Sequence, residues 1–406
     1  MPDTYLIGER IAYHRKRLGL SQVEFAGLVG RSESWVSQVE RGVRPVDRMS
    51  VLQRVADVLS VSVSELRGDD EEPEAEQRPE AFDTIRLALT GHPAIGSVLG
   101  DTKVTGTAEQ LDMVRRQHAE VWTLVHGSRY GELAPILAAI IPALETLTRV
   151  PGDDQLQAEA RELLGDTYQA SAAVLAKIDE TDAAWIAADR AGFCAEAAGK
   201  PLAVAASMFR MAHVFLALSL VEQAHHVAIN TANALEPKIT KDAEPEVLSL
   251  YGAFHLVLAV SAAIDNERGQ AHHHLDIARK TADRLGEDRN DFGTEFGPTN
   301  VAIHAVSIAV ELGDAGQAIE LAQEVDADKL SPERQARYWL ELAQAHSMRR
   351  QIGEALHALQ RAEEIAPEEI RVHHVARAVT RDLPQLSGLR PRPELRELSE
   401  RFGVLP

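Results

Sequence analysis

Histidines occur in three short runs that raise the question of a metal site: residues 225–226, 272–274 and 373–374. His272 and Asp276 are spaced one helical turn apart, which is half of a common zinc-ligand arrangement. No HExxH sequence or equivalent second half follows. Solvated histidines on helix surfaces fit this pattern better, so the sequence predicts no metal and no cofactor.

Residues that could carry catalysis are present, but not in a catalytic arrangement. Glu287 with Asp288 and Asp291 with Glu295 are carboxylate pairs, which surface charge explains better. Cys194 is the single cysteine; it excludes an intramolecular disulfide and is expected to be a small core residue. Because the chain has no phosphate-binding glycine loop, nucleophile elbow or dinucleotide fingerprint, the sequence predicts that it is not an enzyme.

The segment SQVEFAGLVGRSESWVSQVERG (21–42) has the residues that two short crossing helices need. Ser21 is a good N-cap. Ala26 is small enough for a second helix to cross over it, and Gly30 accepts a positive φ between the helices. The expected buried contacts are Phe25, Ala26, Val29, Val36 and Val39.

This segment resembles the helix-turn-helix of the Cro/phage-repressor (XRE) family, and the resemblance covers residues 7–67. It implies a five-helix, lambda-repressor-like DNA-binding domain over 1–67, whose second motif helix, about Ser32 to Glu40, enters the major groove. It also implies a structural ion pair between Arg15 and Glu40. Leu52, Val55, Ala56 and Leu59 are expected to close its core.

The resemblance places base-reading positions on Glu33, Ser34 and Gln38, with Ser37 close to the groove. Gln38 can form two hydrogen bonds with adenine, and Glu33 can accept one from cytosine. Candidates for positioning on the DNA backbone are Gln22, Arg31, Arg41, Arg44 and Arg48, and Ser32 is a further candidate DNA contact. The alternative is that these polar residues form only the solvated face of a helix bundle, or that the motif contacts protein.

Charge is distributed unevenly along the 406 residues. Residues 1–68 hold ten Lys/Arg and eight Asp/Glu, a net of +2, and the remaining residues hold 32 and 54, a net of −22. A mildly basic head before an acidic body suits nucleic-acid binding by the head alone. The acidic, proline-containing stretch 68–81 is expected to be an extended or disordered linker.

Residues 82–385 show helical periodicity and an irregular repeat, and residues 386–406 read as a tail with a short capping helix. Segments 299–325 and 336–367 each read as a helical hairpin, and the second resembles the tetratricopeptide signature. An alanine early in the second helix recurs along the body, at Ala134, Ala184, Ala224, Ala271, Ala318 and Ala355. The predicted fold is therefore all-α, with a solenoid of tetratricopeptide-like hairpins after the head.

The first helices of such hairpins line a groove, and a peptide or small molecule is the expected ligand. The overlong connection GEDRNDFGTEFGPTN (286–300) is predicted either to lock two repeats together or to form the rim of this ligand site. In the second case its two phenylalanines fold into or over the groove. The candidate ligand contacts are Phe209, His213, Asn290, Phe292, Phe296, Asn300 and Arg337.

The segment GEDRNDFGTEFGPTNVAIHAVSIAVELGDAG (286–316) suggests a further resemblance, over the whole chain, to a group of actinobacterial helix-turn-helix regulators with a tetratricopeptide-like body. The domain order implies a transcriptional regulator. Because one head buries little DNA surface, a homodimer on a palindromic double-stranded operator is expected. The body would sense a ligand; alternatively it would recruit a partner protein and bind no small ligand. No membrane span or signal peptide is expected, so the sequence predicts a cytoplasmic protein.

Overall fold

A computed structural model describes residues 3–41, 46, 49–59, 61, 63, 66, 80–91, 104–387 and 393–404. The chain divides into two compact units, residues 1–78 and 79–406. Helices and short turns make up the described part, and no strand occurs within it. Arg44, Arg48 and nearly all of the predicted linker lie outside the described residues, as does most of the fifth helix predicted for the head.

The N-terminal unit contains four described helices, which are α1 (Asp3–Arg17), α2 (Gln22–Val29), α3 (Glu33–Glu40) and α4 (Met49–Leu59). Ser21 caps α2 in a reciprocal arrangement with Glu24, and Gly30 ends it with φ 70°. The predicted cap, turn and buried contacts are therefore confirmed. The core joins these helices through Phe25, Ala26, Val29, Val36, Val39, Leu52, Val55, Ala56 and Leu59.

Helix α1 crosses α3 at very close range. A Cβ atom on Gly8 would lie 2.1 Å from the carbonyl oxygen of Val39, so only glycine permits this approach. Because that neighbour is a backbone atom, it cannot turn aside as a flexible side chain could. Gly8 thus sets the distance between α1 and the second helix of the motif.

The body begins with α5 (Glu80–Thr90) and α6 (Ala108–His118) and ends with α19 (Pro367–Ile370), α20 (His374–Ser387) and α21 (Pro393–Arg401). Between them the described helices pair into six hairpins. These are α7 (Val121–His126) with α8 (Tyr130–Leu147), α9 (Asp154–Lys177) with α10 (Thr181–Ala197), α11 (Pro201–Ala217) with α12 (Val221–Leu235), α13 (Pro245–Ile264) with α14 (Arg268–Leu285), α15 (Pro298–Glu311) with α16 (Ala315–Ala322), and α17 (Pro332–Met348) with α18 (Ile352–Ile365).

The recurring alanines explain why the hairpins pack closely. Each lies in the second helix of its hairpin and is completely buried: Ala134, Ala184, Ala224, Ala271, Ala318 and Ala355. Small residues at helix crossings allow the axes to approach, as the sequence predicted. Consecutive hairpins contact one another along the chain, which is the nearest-neighbour packing of a helical array.

The six first helices form a closed ring rather than an open groove. Each of α7, α9, α11, α13, α15 and α17 contacts the next, and α17 contacts α7. Glu369 joins the two ends of the array, because its buried carboxylate accepts hydrogen bonds of 2.7 Å from the hydroxyls of Ser128 and Tyr130. The neighbouring Glu368 accepts a 2.7 Å bond from the backbone N–H of Gly131.

Two body helices are long and apolar enough to cross a membrane by length and composition alone. These are α8 and α13, whose most apolar windows are 50% and 83% buried inside the body. Both contribute to hydrophobic cores shared with neighbouring helices. Core packing therefore accounts for their composition, although the sequence had not predicted helices of this kind.

Candidate functional site

Helix α3 presents the polar residues expected to read bases. Glu33 and Ser34 are exposed, and Ser37 and Gln38 are half-buried. Val36 and Val39, on the opposite side, are buried in the core and fix the rotation of the helix. Within this domain, the outward side of α3 therefore carries carboxylate, hydroxyl and amide groups that can pair with base edges in a major groove.

Glu40, at the end of α3, is the centre of a charged cluster that joins three helices. Arg15 of α1 donates to its two carboxylate oxygens at 2.5 and 2.9 Å, and Gln22 of α2 donates at 2.7 Å. Arg15 also donates to the carbonyl of Leu20 at 2.6 Å. The predicted structural pair is confirmed, and it fixes α3 to the helices that support it.

Several candidate backbone-positioning residues make contacts within the domain. The Gln22 amide is bonded to Glu40, and the Ser32 hydroxyl caps α3 by accepting from the Trp35 N–H at 3.2 Å. Arg31 lies over the Trp35 ring, with its guanidinium carbon 5.9 Å from the ring centroid. Arg41 donates to the Ser37 carbonyl at 3.0 Å. These contacts hold the side chains near α3 and assign structural roles to Gln22 and Ser32 that the sequence did not predict.

The comparison with known families supports this geometry. Residues 6–67 match the family described as "Helix-turn-helix domain". The chain contains a helix-turn-helix domain. Two relatives, each named "HTH-type transcriptional regulator SinR", from Bacillus licheniformis and Bacillus subtilis (strain 168), are 36% identical to it over 69 residues. The similarity covers 17% of this chain and 62% of each relative, so the chain spans less than two thirds of their length.

The connection between α14 and α15 lies at the ring of first helices. It begins after Leu285 and ends at Pro298, the first residue of α15. Phe296 is completely buried in a hydrophobic core, where its ring occupies the space beside Gly252 of α13. Phe296 thus folds inward and is enclosed by the core, and its role as a ligand contact stays a prediction.

The same connection contacts α7 and α11. Arg210 of α11 donates to the carbonyls of Phe292 and Gly293 at 2.7 and 2.9 Å, and its guanidinium lies 5.0 Å from the Trp122 ring centroid. Gly293 has φ 65° and packs so closely on Trp122 that a Cβ would lie 2.5 Å from the indole. The half-buried Phe292 also has a positive φ of 52°. Tertiary contacts thus hold this loop in an unusual backbone conformation.

Glu295 connects the loop to α7 and α17, the first helices of the first and last hairpins. Its carboxylate accepts from the Ser331 hydroxyl at 2.9 Å and lies 3.3 Å from the His126 imidazole. Asn290 is exposed, but its amide is also bonded to His126 at 2.9 Å. Burial acts to raise the pKa of Glu295, while the bond with His126 and the charge of Arg334 hold that pKa below its ordinary value. The connection therefore joins repeats, as one of the two sequence interpretations predicted.

The remaining candidate ligand residues lie on first helices. Phe209 and Asn300 are buried, and the Phe209 and His213 rings pack at 4.5 Å between centroids. Burial and the charge of Arg210 hold the pKa of His213 well below its ordinary value, so this imidazole is neutral. Arg337 donates to Glu341 at 3.3 Å and contacts His373 at 2.6 Å. The structure therefore places these residues in ordered contacts within the body.

Three potential metal-ligand atoms, from His126, Glu295 and Glu333, lie within 4.8 Å of one another. Cations lie beside both carboxylates: Lys177 is 3.1 Å from Glu333, and Arg334 is 3.5 Å from Glu295. Lysine and arginine already compensate this buried negative charge, which disfavours a further divalent cation. We interpret the group as an ion-pair network between α7, α9, α17 and the loop.

Two residues of the histidine runs are buried, contrary to the expectation that they lie on solvated surfaces. His274 packs against His255 of α13, with 3.0 Å between their Nδ1 atoms, and His373 packs beside Arg337. His274 lies within α14, and His373 directly precedes α20. Burial, with the charges of neighbouring histidines, lowers the pKa of both His255 and His274 from 6.5 to about 4.

This histidine pair predicts a loss of stability in mild acid. Because the folded pKa lies below the unfolded one, the stabilisation is present above pH 6.5 and is lost as the pH falls towards 4. Allowing for solvent screening, we expect the pair to contribute about 1–3 kcal/mol to this loss. Urea unfolding at pH 7 and pH 5 measures it: His274→Gln should flatten the pH dependence, and the exposed control His226→Gln should not. Equal slopes for the two variants would contradict this assignment.

Proposed function

We propose that this protein is a sequence-specific DNA-binding transcriptional regulator of the cytoplasm. The observation that carries the proposal is the outward side of α3, where exposed Glu33 and Ser34 and half-buried Gln38 stand on a helix that buried valines hold in place. The similarity to the two SinR regulators over the same domain supports it. Gln38 pairs with adenine, Glu33 accepts from cytosine, and exposed Arg41 contacts the DNA backbone.

Genome-wide mapping of bound DNA tests this proposal. We expect the full chain to occupy discrete sites that share an inverted-repeat sequence. The variant Glu33→Ala/Gln38→Ala should no longer occupy these sites. Uniform low occupancy along the chromosome for both proteins would contradict sequence-specific binding. The genes beside the occupied sites would also indicate the regulated process.

A homodimer on a palindromic operator is part of the proposal. One helix-turn-helix domain covers a short half-site, and two-fold dimers combine half-sites about one helical turn apart. Hydroxyl-radical footprinting on a mapped site should show two protected half-sites with 10–10.5 base pairs between their centres, or a multiple of this spacing. Protection of one half-site at saturation would contradict the dimer.

We further propose that the body senses a small polar ligand at the ring of first helices. The buried polar atoms of the body that have no hydrogen-bond partner among the described residues include Gln169 Oε1, Arg210 Nε and Asn300 Oδ1, which lie on three of the first helices. The neutral imidazoles of His213 and His304 lie on the same ring, where burial and nearby arginines lower their pKa values, that of His304 to about 4. Because the 286–300 connection contacts four first helices, a compact ligand fits this ring better than an extended peptide.

Mass spectrometry of the purified full chain distinguishes a sensor from an adaptor. We expect a small molecule to co-purify under native conditions and to be lost from Gln169→Leu/Asn300→Leu, because those substitutions remove the unpartnered oxygens. Ser307→Ala is a control on the same ring, whose hydroxyl is already bonded to Glu341 at 3.1 Å. A stoichiometric partner protein with no small molecule would instead support the alternative, an adaptor.

A further inference from the structure

A cavity on a different part of the body has the composition of an anion site. It has a volume of about 410 Å³ and lies between the end of α8, α9 and α10. Three arginines line it, together with a tyrosine, a threonine, the single cysteine and apolar groups. The arginines are Arg149, Arg161 and Arg190.

The positive charge in this cavity is only partly compensated. Among the described residues that line it, Glu145 is the one acidic residue, and it is buried. Its oxygens lie 3.2 Å from Arg190 and 3.4 Å from Arg149, and Tyr168 donates to it at 2.5 Å. Arg161 makes no ion pair or hydrogen bond within the part of the chain that the structure describes. The balance is three guanidinium groups to one carboxylate, although residues 69–406 together carry a net charge of −22.

The remaining lining is apolar and includes an unusually exposed ring. Phe193 is 65% exposed, and Leu164, Cys194 and Ala197 lie beside it in the cavity wall. Exposed aromatic surface at a cavity edge is typical of a contact site for a ligand. One side of the cavity thus offers guanidinium groups, and the other offers an aromatic and aliphatic surface.

We propose that this cavity binds a small organic anion, whose carboxylate or phosphate lies between Arg161 and Arg190 and whose apolar group packs on Phe193. Arginine suits this role because its planar fork of donors matches the two oxygens of a carboxylate or phosphate. A volume near 400 Å³ is at the lower end for ligand sites, which limits the ligand to about the size of a substituted aromatic ring. This site does not depend on the DNA-binding proposal or on the ring of first helices.

Calorimetric titration of the full chain tests the charge and the apolar part separately. The probes are phenyl phosphate, benzoate, inorganic phosphate and the neutral benzyl alcohol. We expect at least one aromatic anion to bind at least tenfold more tightly than the alcohol and inorganic phosphate, and Arg161→Gln to weaken it at least tenfold. The control Arg279→Gln, on α14 and paired with Asp276 at 2.7 Å, should leave affinity unchanged.

Cys194 supplies a second measurement at the same place, because it is the only cysteine of the chain and lines the cavity. Burial raises the pKa of its thiol to about 11, so alkylation by N-ethylmaleimide should be slow enough to follow. We expect the bound aromatic anion to slow this alkylation in the wild type, and not in Arg161→Gln. No binding by any probe, equal binding of anion and alcohol, an unchanged Arg161→Gln affinity, or binding without protection of Cys194 would each overturn the proposal.

Discussion

Replacing Gly8 by alanine is expected to separate α1 from α3 and to abolish stable folding of the helix-turn-helix domain. The added Cβ would lie 2.1 Å from the Val39 carbonyl oxygen, so one of the two helices must move. Overpacking costs about 1–3 kcal/mol, and occasionally more, which is a large part of the stability of a domain this small. The Arg15–Glu40 pair bridges the same two helices and would be strained by the movement.

Hydrogen exchange followed by mass spectrometry on the full chain localises this effect. We expect the peptides of α1, α2 and α3 to lose protection in Gly8→Ala, while peptides of α13 retain it. Gly27→Ala is the matched control: a Cβ there meets nothing within 4 Å, and the residue lies exposed inside α2. That substitution should stabilise the domain by up to about 1 kcal/mol. Equal protection in both variants would show that the close crossing is not needed.

The second large effect is expected at Gly252, the residue that admits the Phe296 ring. A Cβ on Gly252 would lie 1.9 Å from the tip of this ring, so Gly252→Ala should expel Phe296 from the core. We expect a loss of about 3–5 kcal/mol, the range found when a buried phenylalanine is removed. Expulsion would also release the Arg210 bonds to Phe292 and Gly293.

A double-mutant cycle separates this specific clash from general helix damage. Phe296→Ala alone should destabilise by a similar amount, and the double variant should be clearly more stable than the sum of the two single effects predicts. Gly269→Ala, where a Cβ meets nothing within 4 Å, should change the free energy of unfolding by less than about 1 kcal/mol. Urea unfolding provides all four values, and strict additivity would disprove direct contact between the two sites.

Much of the local structure of the helix-turn-helix domain could be predicted from the sequence. Ser21, Gly30 and the buried valines act through neighbours a few residues away, where capping and helix periodicity apply directly. The repeated alanines of the body follow the same logic, because each belongs to a crossing inside one hairpin. Arg15 and Glu40 are 25 residues apart, and there the resemblance to a known family supplied the pairing.

Contacts across long sequence separations were not predictable in the same way. Tyr130 and Glu369 are 239 residues apart, and their bond closes a ring that the sequence suggested as an open groove. The burial of Phe296 depends on Gly252, which the apolar run LSLYGAFHLVLAV contains without any turn signal. Glycine destabilises the interior of a helix, so its presence there indicates close packing. This signal could have pointed to a close contact at Gly252. The three arginines of the anion cavity come from the turn after α8, from α9 and from α10, and have no shared motif.

The base-reading role of α3 is tested most directly by the affinity of the full chain for one mapped operator at fixed salt. Fluorescence anisotropy with the labelled duplex compares the wild type, Glu33→Ala/Gln38→Ala and Gln53→Ala/Asp57→Ala. The last variant also removes one carboxylate and one amide, but from α4, where Gln53 donates to Asp57 at 2.9 Å. We predict that the α3 variant binds the operator at least tenfold more weakly, while its affinity for unrelated DNA and the affinity of the α4 variant remain unchanged. Operator affinity that is the same for all three proteins would contradict the assignment of α3 as the helix that reads DNA.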